Sequence, residues 1–127
     1  MIHRMGLYEE PFQSIKSEKK LVEVRLNDEK RRKIQTGDKI IFTKVPGGVE
    51  QLEVIVINLT IYPSFKEMYT AIPAEAFDSV GTKLEDMIQS TYEIYSKEQE
   101  KQFGTLAIEV KYIDSYKMSK RGNKVEL

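Results

Sequence analysis

The chain has 127 residues, 40% of them hydrophobic and 31% charged, with 20 basic side chains balancing 20 acidic ones. That length holds one ordinary domain, and the composition lies far from the low-hydrophobicity, high-charge regime in which chains fail to fold. The absence of cysteine excludes disulfides, thiolate nucleophiles and thiolate metal sites, and no stretch approaches the roughly 20 apolar residues of a membrane span, so a cytoplasmic location with no membrane partner is the expectation.

Near the N-terminus, the one histidine, His3, reads as a solvated side chain, so neither a metal site nor histidine-based catalysis is expected, and no motif asks for a cofactor. Glu9, Glu10 and Pro11 suit a first helical turn, with Phe12 and Ile15 sharing its apolar face. Leu21 to Leu26 alternates with period two and predicts a strand. Asn27 or Asp28 then caps a short basic helix or turn over Lys30 to Lys33. Thr36-Gly37-Asp38 turns the chain into a strand over 39–43, and Pro46-Gly47-Gly48 predicts a hairpin leading to a long strand, 51–62, which Pro63 stops.

Beyond Pro63 the period becomes helical: Phe65, Met68, Tyr69 and Ile72 form one stripe, closed by Pro73. Thr82 and Glu85 have the spacing of a capping box for a helix toward Ser90, and Tyr92 to Phe103 predicts a further helix ended by Gly104. Residues 105–113 alternate as a last strand. The domain is therefore expected to occupy residues 1–113, with 114–127 as a basic tail or an added edge strand. Charge is segregated along this order: residues 16–44 carry a net +5, residues 45–114 a net −7 and residues 115–127 a net +3. Such a separation produces either solvated faces or a field that orients an anionic partner.

Three segments in order, SIKSEKKLVEVRLND (14–28), TGDKIIF (36–42) and SKEQEKQFGTLAIEV (96–110), resemble the ASCH domain of the PUA-like superfamily over most of residues 6–113. The resemblance implies an α+β fold, a small PUA-like β-barrel of about five to six mainly antiparallel strands with flanking helices and a cleft between them. It also implies a partner: RNA or a nucleotide-like small molecule. Some members hydrolyse an amide on an acylated nucleoside such as N4-acetylcytidine, using a lysine followed three residues later by a threonine nucleophile. Lys20 matches that lysine, but Glu23 stands at the nucleophile position, so a non-catalytic binding module is the expected function. A small amidohydrolase is the alternative, and a protein-interaction adaptor using the acidic half is the second alternative. A glycine commonly precedes the lysines in that family; here the residue is Glu18.

The candidate site gathers around that signature. Glu23 and Arg25 lie two apart on a strand and leave one face, the polar one if Val22, Val24 and Leu26 point to the core, with Lys19 and Lys20 just ahead of them. A guanidinium grips phosphate or a base edge with two bonds, while a carboxylate accepts from the exocyclic amine of a nucleobase. The same spacing equally describes an ion-paired strand face inside or beside the barrel. Arg31 and Arg32, in the KRRK run, suit phosphate contacts or a solvated turn neutralised by Asp28 and Glu29. Tyr95, Ser96 and Lys97 set an aromatic ring beside a hydroxyl and a charge, which suits stacking on an unpaired base, although tyrosines at helical spacing also describe a packed helix face.

Overall fold

In the computed structural model, which describes residues 1–114, five strands form one sheet. They are β1 (Ile2–Tyr8), β2 (Val22–Leu26), β3 (Lys39–Val45), β4 (Gln51–Tyr62) and β5 (Thr105–Ile113), in the spatial order β1-β3-β4-β5-β2. β3–β4, β4–β5 and β2–β5 are antiparallel, and β1 joins β3 in parallel. The sheet is a half-barrel and not the closed barrel that the resemblance implied: β1 and β2 are its two ends and do not pair. Side chains span the seam instead. Arg25 Nη2 donates to the Gly6 carbonyl at 2.7 Å, and Lys30 Nζ donates to the Arg4 carbonyl at 2.9 Å, which satisfies edge carbonyls that a closing strand would otherwise take.

Around the sheet lie α1 (Glu9–Lys16), α2 (Glu29–Arg32), α3 (Phe65–Ala71), a 3-10 turn (Ala74–Phe77), α4 (Leu84–Tyr92) and α5 (Lys97–Phe103). The main core gathers Met5, Leu7, Phe12, Ile15, Ile40, Phe42, Val54, Val56, Leu106, Ile108 and their neighbours from α1 and four strands. A second cluster, Val22, Met68, Phe77 and Ala107, packs the opposite face of β2 and β5 under α3, the 3-10 turn and α4. Among the described residues no helix is long and apolar enough to cross a membrane. The basic segment 115–127, expected as a tail or edge strand, lies outside the described residues.

Four local readings are corrected. Residues 2–8 form β1, which the sequence reading left without an element. Their alternation is real, with His3, Met5 and Leu7 buried and Ile2, Arg4, Gly6 and Tyr8 exposed, but a histidine counted as solvated hides it. His3 is in fact buried, with Nε2 2.8 Å from Asp38 Oδ2, so a hydrogen-bonded polar pair stands where an apolar residue would be expected. The helix expected over 92–103 is broken after Tyr92: Ser96 starts α5, its side chain accepting from the Gln99 N–H while the Gln99 side chain accepts from the Ser96 N–H. The capping box expected at Thr82 and Glu85 does not form; Lys83 is the N-cap of α4 and makes no side-chain cap bond.

Candidate functional site

β2 carries the decisive side chains. Glu23 lies opposite Ile108 of β5, and Arg25 opposite Leu106, so both project on the face of the main core, since directly paired residues share a face. Val22 and Val24 instead turn toward the helices. The expected polar face is therefore an interior one: Glu23 is only 4% exposed and Arg25 9%. Charges removed this far from water persist only when paired. Glu23 supplies the pairing, accepting from Arg25 Nε at 2.7 Å through Oε2 and lying 3.2 Å from Lys20 Nζ through Oε1. Burial pushes the Glu23 carboxyl up, but the charges of Lys20 and Arg25 and their hydrogen bonds outweigh it and hold the group below the usual carboxylate range. Glu23 is an anion at neutral pH. Arg25 also lies over the Phe42 ring, its guanidinium carbon 5.8 Å from the centroid.

Lys20 reaches this group because α1 ends abruptly. Glu18 adopts φ 63°, and the N–H groups of both Lys19 and Lys20 donate to the Ser14 carbonyl. The left-handed turn at Glu18 explains the glycine preferred at this place, since a side chain there costs about 1–2 kcal/mol.

The three charges open into a cleft of about 560 Å³ beside the seam of the half-barrel. β1 forms one wall with Gly6, Leu7 and Tyr8, and the helical side contributes Tyr69, Phe77, Met87, Thr91, Ile94 and Tyr95. Most of these are apolar or aromatic. Tyr95 is held by stacking on Phe65, with ring centroids 5.8 Å apart at 18°. Phe65 is anchored in turn, its N–H donating to Glu100 Oε2 at 2.8 Å while Tyr92 donates its phenol to Glu100 Oε1 at 2.6 Å. Tyr69 and Thr91 add hydroxyls, 2.7 Å apart. Burial raises the phenols of both Tyr69 and Tyr95, so both stay neutral as donors at physiological pH.

Of the residues singled out from sequence, Lys20, Glu23, Arg25, Arg31 and Tyr95 meet at this cleft. Lys19 is exposed and lines a neighbouring groove of about 410 Å³, which Lys20 also borders. Arg32 donates through Nε to the Asn27 carbonyl. Ser96 caps α5, and Lys97 lies over the Tyr92 ring at 5.4 Å; neither lines the cleft. Sequence reasoning missed Gly6, Tyr8, Tyr69, Thr91 and Ile94. Tyr69 lay in plain view on the helical stripe but was not singled out as a site residue, and Gly6 and Tyr8 belong to the strand that was not recognised.

The site therefore combines one paired carboxylate, fixed cations, neutral hydroxyls and mainly apolar walls. Residues 5–114 match the family described as the ASCH domain. Among solved structures the chain is similar to the crystal structure of hypothetical protein PH0355, at 41% identity over 89% of this chain and 100% of that one, with a TM-score of 0.80. It is also similar to the solution NMR structure of Protein PF0455 from Pyrococcus furiosus, at 39% identity over 90% of this chain and 99% of that one, with a TM-score of 0.72. Among curated proteins none matches.

Proposed function

This chain belongs to the ASCH domain family, and from that premise we propose that it is a binding module for RNA or a nucleotide-like ligand, holding one nucleobase in the cleft beside the seam. The observation that carries the reading is the convergence of Lys20, Glu23 and Arg25 on one cavity whose walls are mainly apolar and aromatic. Each Glu23 oxygen accepts one bond from a cation and retains a second lone pair. It can take an N–H from the exocyclic amine of cytosine, adenine or guanine. The ring faces then lie against apolar and aromatic walls, an arrangement typical of unstacked RNA bases.

The same pairing favours recognition over hydrolysis. A carboxylate neutralised by two cations is a weak nucleophile, which supports a binding role over nucleophilic catalysis by Glu23. The floor holds two cations and one anion, so charge attraction contributes little and affinity is expected to fall only gently with salt.

The test is a titration of the four nucleosides and of short RNA homo-oligonucleotides at two salt concentrations, with Glu23→Gln and Arg25→Gln in parallel. Bases bearing an exocyclic amine are expected to bind more tightly than uracil, and Glu23→Gln to weaken them about 10-fold or more. Uracil binding as well as cytosine, with affinity unchanged in both variants, would sink the reading.

A further inference from the structure

The cleft is wider than the charged floor needs, and its mouth has an unusual composition. Tyr8 and Ile94 both line it, yet Tyr8 is 59% exposed and Ile94 58%. Tyr8 is no loose surface ring: it is the last residue of β1, paired with Val45, and the N-cap of α1. Its backbone is fixed from both sides, so the ring is presented at the mouth without any ordering of the main chain.

Arg31 adds an independent observation. Its Nη1 donates to Asp28 Oδ2 at 2.8 Å, but its Nε is the one buried side-chain nitrogen or oxygen among the described residues that lacks a hydrogen-bond partner. An unmade bond of this kind is costly, and Arg31 lines the same cleft. The other cations are already engaged: Lys20 and Arg25 with Glu23, and Arg25 again with the Gly6 carbonyl. Arg31 therefore keeps guanidinium donors beyond its Asp28 pair for an incoming phosphate, beside Lys20, whose ammonium has N–H groups left over after Glu23.

We infer that the occupant is a strand segment of at least two nucleotides: one base sits over Glu23 and Arg25, the next stacks on Tyr8 at the mouth, and Arg31 takes the phosphate between them. This rests on the nucleobase reading above and adds to it the length and connectivity of the ligand.

The experiment compares a nucleoside, its 5′-monophosphate and the corresponding RNA dinucleotide, for each of the four bases, on the wild-type chain and on Tyr8→Ala, Tyr8→Phe and Arg31→Gln. The dinucleotide is expected to bind more tightly than the nucleoside. Tyr8→Ala should remove about 5- to 150-fold of dinucleotide affinity, the range measured for a stacked base, and weaken the nucleoside by a clearly smaller factor; Tyr8→Phe should retain the gain. Arg31→Gln should weaken the monophosphate and the dinucleotide more than the nucleoside. Equal affinity for nucleoside and dinucleotide, or a Tyr8→Ala loss that is the same for both, overturns the inference while leaving the nucleobase reading intact. Failure of every probe to bind the wild-type chain overturns both.

Discussion

Replacing Glu23 by alanine removes the carboxylate that Lys20 and Arg25 share. Lys20 has 16% of its side chain exposed and can swing into water. Arg25 cannot follow, because β2 holds it on the core face, where it would keep the Gly6 carbonyl, the Phe42 ring and the Tyr95 phenol but no full counter-charge. Breaking a buried pair by deleting one partner costs about 3–5 kcal/mol, and the escape of Lys20 sets the expectation at the low end, about 3 kcal/mol. That is a large share of the roughly 5–15 kcal/mol that stabilises a domain. The double variant Glu23→Leu/Arg25→Met removes the charges together, and is expected to recover most of the loss or exceed wild type, since apolar replacements of buried ion pairs are often neutral or better. Urea denaturation with a common slope measures both. Neither variant should bind nucleosides, so stability and function would separate. A single variant that loses less than about 1 kcal/mol, or a double variant no better than the single, would refute the claim that these charges are buried and mutually dependent.

Three further outcomes follow from other contacts. Asp38, hydrogen-bonded by His3 and by the Gln35 N–H, is held at about 2 against an ordinary 3.8, so its contribution is fully present above pH 3.8 and is lost as pH falls through about 2; Asp38→Asn should flatten that acid limb in denaturation midpoints taken across the range. Glu100→Ala leaves the buried Phe65 N–H unpaired, at about 1–3 kcal/mol, and frees the partly buried Tyr92 phenol to water. It should also move the Tyr92 titration, read by tyrosinate absorbance, from about 12 toward its usual 10.0. Ser96→Ala should cost about 1 kcal/mol through the lost α5 cap and leave nucleoside affinity unchanged, whereas a selective loss of affinity would restore Ser96 as a ligand contact.

Much of this protein was legible in local patterns. The alternation at 21–26 and 105–113, the strands bounded by turn signals at 39–43 and 51–62, the Pro46-Gly47-Gly48 hairpin and the stripe Phe65, Met68, Tyr69 and Ile72 all correspond to observed elements, because strand and helix periods and turn residues are written in neighbouring positions. The spacing of Lys20, Glu23 and Arg25 was equally plain. Local reading failed where a polar group is paired at long range. His3 hid β1 because its partner, Asp38, lies 35 residues away. Ser96 looked like the interior of a helix because a Ser-to-Gln capping box was not distinguished from ordinary helical polarity.

Sequence alone determined which residue types the site has and that Glu23 and Arg25 leave one face of a strand, since period two is a property of the backbone itself. Which face that is, and that it opens on a seam closed by the Gly6 carbonyl instead of by another strand, was decided only when β2 took its register against β5 and β1 against β3. Strand pairing joins residues far apart in the chain, and a shift of one residue exchanges the inner and outer faces. Burial of the charges is therefore a consequence of tertiary register, while their chemistry is a consequence of composition.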